Sequence, residues 1–164
     1  MKLNSLEDLF KDQLMDMHSA EQQLTAALPK MAEKASAKEV REALERHLDI
    51  TKKQLERLDQ IGSNMGIDLK GKTCEAMKGL IKEGEHILKE GGSGEALDAA
   101  IIAAAQKIEH YEIASYGSVC TYAEELGHKD ALKLLKQTLD EEEKTDQQLT
   151  KIAESGVNQR AMKA

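Results

Sequence analysis

A chain of 164 residues with 40% hydrophobic residues is the size of one domain with a real core. Ala, Leu, Glu and Lys dominate, with one proline and 2% aromatics, which favours helix and leaves too little Val, Tyr, Phe and Trp for a sheet of any size. The formal charge of −7, with lysines interleaved among the acids, offers no basic face, so nucleic acid and anionic membrane are excluded as default partners.

The first helix is predicted to start near Asn4 or Ser5, where Asn4 and Glu7 stand at capping-box spacing. Phe10, Leu14, Met17, Glu21, Leu24, Leu28 and Met31 follow in alternating steps of four and three, a stripe that faces a bundle. Pro29 lies inside this stripe and predicts a kink, with a break as the competing reading. Ser36 and Glu39 form a second capping box, opening a helix to about Ile61 with the lane Leu44, Leu48, Thr51, Leu55, Leu58. Gly62 stands where a C-terminal glycine belongs.

Residues 63–72 are turn-rich, and a shorter amphipathic helix spans about 73–90. Gly91, Gly92 and Gly94 then interrupt the chain. A third long helix is predicted over about 95–126 and a fourth over about 129–155. The fourth has Leu132, Leu135, Leu139, Glu142, Asp146, Leu149 and Ala153 in register. Residues 1–156 therefore form the bundle and 157–164 a polar, frayed tail. Short connections make two antiparallel pairs, and the stretch from 62 to 94 is long enough to travel the bundle's length. The expected architecture is all-α: a ferritin-like four-helix bundle with one long crossover carrying a short fifth helix. A plain up-down bundle with an extra helix is the rival topology.

Each long helix breaks its apolar lane near half length. Glu21 does so in the first, Glu109 and Glu112 in the third, and Glu142 and Asp146 in the fourth; His47 borders the lane of the second. Stacked at one level, these groups need neutralising, because a buried unpaired carboxylate costs several kcal/mol. Shared protons, hydrogen bonds from Tyr111, Tyr116 or Thr51, or divalent cations could do it. Carboxylate oxygen and imidazole suit iron or manganese, two ions at most. A Glu on two helices and Glu-x-x-His on the other two is the carboxylate-bridged pattern. No Glu-x-x-His occurs here on the second or fourth long helix, so an asymmetric site, one ion or none are all compatible. His18 reads as a neighbour of the site or a surface residue, His110 as structural or interfacial, and His86 and His128 as surface residues. Of Glu141, Glu142 and Glu143, only Glu142 is read as facing inward. Cys74 and Cys120 lack metal-type spacing and read as core residues. The start of the chain leads into an amphipathic pattern without the apolar segment of a secretion signal, and a reduced cytoplasmic compartment is the expectation.

The stretch 103–117 (AAAQKIEHYEIASYG) closely resembles the central motif of the YciE/YciF family of ferritin-like bacterial stress proteins. The likeness continues through Ser19-Ala20-Glu21, His47 with Thr51, Gln54 and Arg57, residues 74–77 (CEAM), and Glu142 with Thr145 and Asp146. It spans nearly the whole chain and is nearer the YciF branch. The resemblance implies a rubrerythrin-like bundle, a homodimer and a stress-associated cytoplasmic role. It also implies metal binding, with Glu21, Glu109, Glu112, Glu142 and Asp146 at the carboxylate positions. At position 50, where the family usually carries an acid, this chain has Ile50, and at 52, where a histidine can stand, it has Lys52. That departure falls on the second helix's side of the site. The leading expectation is a carboxylate-bridged di-iron or di-manganese stress protein acting on iron or peroxide, an oxidoreductase such as a ferroxidase or peroxidase if it is an enzyme. The competing one is a structural or interaction protein with a degenerate metal site, for which the helix at 73–90 would offer a dimer interface.

Overall fold

Helix formers and long apolar stripes produce α1 (Leu6–Lys34), α2 (Lys38–Met65), α3 (Glu75–Glu90), α4 (Gly94–Glu125) and α5 (Lys129–Ile152). A π-helical turn (Ala153–Val157) and a last turn, α6 (Asn158–Ala161), follow. The computed structural model describes residues 2–164, and no strand occurs among them. α1 packs on α2 and α4, and α5 packs on α4 and α2, so the four long helices form a square with α3 laid across α1 and α4.

Two contacts decide the topology. Asp98, in the second turn of α4, reaches the α1–α2 turn, where its carboxylate accepts the N–H groups of Ser36 and Ala37, each at 2.8 Å. At the other end of the bundle, His128, just past α4, stacks on Phe10 with ring centroids 5.4 Å apart and lies 2.8 Å from Glu7. α4 therefore runs antiparallel to α1 and parallel to α2. The segment between α2 and α4 must travel the bundle's length, which is the long crossover; the plain up-down alternative is excluded. His128, read from sequence as a surface residue, is half-buried in this stack.

The helix ends depart from the sequence expectation in instructive ways. Ser5, not Asn4, caps α1, its Oγ accepting from the Asp8 N–H at 3.0 Å. The Ser36–Glu39 box does not form. Ala37 is the capping residue and has no side-chain cap, because Asp98 supplies the acceptor from another helix. Glu39 instead pairs with Arg160. α1 is continuous through Pro29. α2 continues past Ile61 to a left-handed Gly66 (φ 67°). Gly62 serves close packing: a Cβ there would lie 2.9 Å from the Ile67 carbonyl oxygen. Residues after 156 begin with buried Val157 and stay helical to Ala161, rather than fraying at once.

The lanes of α1 and α4 are buried as the spacing predicts. Those of α2 and α5 are rotated. α2 turns Leu44, His47, Thr51, Gln54 and Leu58 inward, leaving Leu48 and Leu55 at its edges. α5 buries Ala131, Leu135, Thr138, Glu142, Thr145 and Leu149, a strict four-three alternation that moves Asp146 off centre.

Candidate metal centre

Above and below the bundle's middle the interior is aliphatic, with Met17, Leu24, Leu44, Leu58, Ile102 and Leu149 each no more than 2% exposed. Between them the lanes turn polar at one level. Glu109 and Glu112, one turn apart on α4, face His47 on α2 and Glu142 on α5. Each of the four offers a ligand atom within 4.8 Å of those of the other three, and all are buried. Three carboxylates and one imidazole, drawn from three helices, thus converge on one point.

Glu21 enters the same volume from α1. It is 0% exposed, and one oxygen accepts the Tyr116 hydroxyl hydrogen bond. Its other oxygen has no partner. Glu142 is held on one oxygen by the Gln54 amide. His47 Nε2 lies 3.1 Å from Glu109 Oε1, but the approach does not have hydrogen-bond geometry, and both ring nitrogens remain unsatisfied. Among the described residues, every buried side-chain polar atom left without a partner belongs to this cluster: ten atoms on Glu21, His47, Thr51, Gln54, Glu109, Glu112 and Glu142. Native proteins pair such atoms, since each orphan costs about 1–3 kcal/mol.

The electrostatics agree. Burial, followed by the charges of its neighbours, holds each of Glu21 and Glu112 well above the usual carboxylate range. Glu109 is raised by burial, then by the charge of neighbouring Glu142. Glu142 is raised by burial and pulled back by the Gln54 amide that donates to it. Burial alone brings His47 down to about 4, a neutral imidazole with a free lone pair. Burial and the charges of Glu21 and Glu112 push the Tyr116 hydroxyl up, so it remains a donor.

The structure thus gathers Glu21, His47, Glu109, Glu112 and Glu142, and sets Asp146 apart. Asp146 sits at the α4–α5 edge, accepting from Gln106 Nε2 at 3.1 Å, with exposed His110 at 3.3 Å. On α2, Ile50 is half-buried and Lys52 exposed, and neither supplies a donor to the cluster. His18 is buried and paired with Asp59 at 3.0 Å. His86 is exposed. Cys74 and Cys120 are buried free thiols; Cys74 also caps α3 and lies 2.9 Å from the Tyr111 hydroxyl, which donates to Asp16.

Two features escape a sequence reading. Gln54 lies in the inward lane, and its signal is the four-three spacing with His47, Thr51 and Leu58, masked because Thr and Gln look like surface residues. Glu141, taken for solvated helix surface, is gripped by both guanidinium nitrogens of Arg57 at 2.6 and 2.7 Å.

The donor set fits a divalent first-row metal ion. Carboxylate and imidazole together suit manganese, iron or zinc, and the orphaned atoms are those an ion would satisfy. No helix among the described residues is long and apolar enough to cross a membrane.

A family described as "Domain of unknown function (DUF892)" matches residues 5–162. The chain is 47% identical to Protein YciF of Escherichia coli K12, over 98% of each chain. The crystal structure of the E. coli stress protein YciF superposes with a TM-score of 0.91, covering 94% of this chain and 98% of that one. YcfI from Rhodopseudomonas palustris, described as a candidate structural protein, gives 0.88 at 44% identity, covering 91% of this chain and 95% of that one. A Xanthomonas campestris protein at 14% identity, with 96% of each chain covered and a TM-score of 0.77, shares the fold.

Proposed function

The chain belongs to the DUF892 family, and from that premise we propose that this member is a metal-binding stress protein whose buried carboxylate–histidine cluster holds iron or manganese and acts on iron or peroxide. The observation that carries the reading is the set of ten orphaned donor atoms confined to one level of the bundle. His47, Glu109, Glu112 and Glu142 would hold one ion. Glu21, a further buried carboxylate with one unpartnered oxygen, would be available to a second ion.

When bound, the metal supplies one-electron redox chemistry that no side chain here possesses. The chain's own residues do the positioning. The Tyr116 hydroxyl fixes one oxygen of Glu21 and leaves the other free to ligate. The Gln54 amide does the same for Glu142. His47 stays neutral because it is buried, so its lone pair needs no deprotonation step near neutral pH. The aliphatic layers above and below exclude water and strengthen every charge interaction within.

The test is a melting experiment on the metal-free chain with Mn(II), and with Fe(II) under anaerobic conditions. Saturation at a hundred times Kd stabilises by about 2.7 kcal/mol, a rise of roughly 5–10 °C. The Glu112→Ala variant is expected to lose that rise. Substoichiometric iron and manganese after loading, with no peroxide consumed, would end the proposal.

A second reading has its own support. Neither α2 nor α5 presents Glu-x-x-His; Thr51, Gln54 and Thr145 occupy inward positions instead. That favours a structural or interaction protein with a degenerate site, for which melting should be indifferent to iron, manganese and chelator. In both readings the chain is a cytoplasmic homodimer, and light scattering that finds one chain per particle would remove that part.

A further inference from the structure

The cluster is sealed on most sides, so a cation needs a route to it. Toward α3, the way is covered by Tyr111 bonded to Asp16 and Cys74. At the α4–α5 edge Asp146 is tied by Gln106, whose amide also donates to Thr150 at 2.8 Å; the charge of Asp146 is felt at Glu109, but no hydrogen bond leads from this group inward to a cluster side chain. Between α2 and α5 the arrangement differs. There the half-buried Glu141 and the buried Glu142 are adjacent in sequence, and a single side chain, Gln54, touches both. Its Nε2 lies 3.4 Å from Glu141 Oε2 and donates to Glu142 Oε1. Gln54 is 0% exposed and its Oε1 has no partner. Outside this layer, Arg57 grips both oxygens of Glu141 and donates to the Thr138 hydroxyl at 3.1 Å.

We propose that Glu141 is the outer carboxylate of a divalent-cation port between α2 and α5, passing the ion to Glu142 across Gln54, with Arg57 as the guanidinium that the ion displaces. This rests on the metal-binding reading above.

The chemistry of Gln54 is what distinguishes a port from an ordinary ion pair. An amide is a donor on one face and an acceptor on the other, and half a turn about its last bond exchanges them. With no cation present, the NH2 group must face the two carboxylates. With a cation between them, the same half-turn presents the unpaired carbonyl oxygen as a third oxygen ligand, the type that hard divalent ions prefer. Arg57 keeps the port neutral while closed, its one positive charge matching Glu141. A guanidinium fork is bound by hydrogen bonds and charge alone, so a doubly charged ion competes for the same two oxygens. The Arg57 side chain is 13% exposed and that of Glu141 24%, so water already reaches the pair.

The experiment is stopped-flow uptake of Co(II) alone by the metal-free full-length chain, followed by the visible absorption of the bound ion, with end-point affinity measured on the same samples. Wild type is compared with Glu141→Gln, Glu141→Asp, Arg57→Gln and Asp146→Asn. Glu141→Gln is expected to slow uptake about tenfold with little change in stoichiometry, since local charge acts mainly on the rate of capture. Glu141→Asp, which keeps the charge, is expected to restore most of the rate, and Arg57→Gln to exceed wild type. The far-UV dichroism of each variant shows that it is folded, and Glu141→Asp separates charge from packing. If wild type binds Co(II) but Glu141→Gln takes it up at the same rate, or Asp146→Asn is the slowed variant, the port is overturned and the metal site stands. Failure of wild type to bind Co(II) overturns both.

Discussion

Glu112 has both carboxylate oxygens buried and unpaired, with Glu21, Glu142 and Glu109 as its charged neighbours. Nothing in the packing of the bundle asks for a carboxylate there; an amide fills the same volume, carries no charge and can donate as well as accept. The residue is therefore a cost to the metal-free fold that only a bound cation, or a shared proton, offsets. Glu112→Gln is expected to stabilise the metal-free protein at neutral pH by about 1–3 kcal/mol while abolishing the metal-induced rise in melting temperature, the usual opposition between stability and a working site. Chemical denaturation in chelator measures the first effect. A variant less stable than wild type under those conditions would show that Glu112 has a structural partner instead. Glu21 differs in this respect, because Tyr116 satisfies one of its oxygens.

At the scale of elements, how a helix end is satisfied decides how visible it is in sequence. Ser5 caps α1 from three residues away and lies within one position of the predicted start. Asp98 caps α2 from another helix, and no local pattern can reveal that. Removing it by Asp98→Ala leaves the Ser36 and Ala37 N–H groups without their charged acceptor in a part-buried turn, and is expected to cost about 1–3 kcal/mol. Asp98→Asn, which keeps one acceptor oxygen, should lose less, and equal losses would mean that the charge and the second oxygen contribute nothing. The same logic of local and distant signals explains what was legible. α1 and α4 carry unbroken apolar lanes, so Glu21, Glu109 and Glu112 stand out as charges where an aliphatic residue belongs. On α2 and α5 the inward face is partly Thr and Gln, which reads as surface, and the predicted lane of α2 slid toward Leu48 and Leu55. That slip put His47 at a border when it is central, and hid Gln54. On α5 the same ambiguity kept Asp146 in the lane while Thr145 was overlooked. Arg57 and Glu141 pair across helices at 2.6 Å, and such pairs have no sequence spacing to betray them.

For the whole molecule, the long crossover aligns two antiparallel hairpins so that the polar level of each faces that of the other, and the consequence is a coupled proton inventory. Four carboxylates, Glu21, Glu109, Glu112 and Glu142, are raised in the folded chain, chiefly by burial. Above the unfolded glutamate range, about 4.3, the native state keeps protons that the unfolded chain has released, so stability falls as pH rises toward the folded values. His47 acts oppositely. Burial lowers it to about 4, so between there and roughly 6.5 the unfolded chain binds a proton that the native state does not, and stability rises. One group opposes four, and above about 6.5 its contribution is constant. The metal-free protein is therefore expected to melt at progressively lower temperature from about pH 5 to pH 8. Saturating Mn(II) should flatten or reverse that slope, because the ion replaces the protons and binds better as they leave. Melting curves across this range, in chelator and in Mn(II), measure both slopes. A metal-free melting temperature that climbs with pH would mean that the four carboxylates are ionised and paired in the folded chain, and the neutralising role assigned to the cation would have no work left to do.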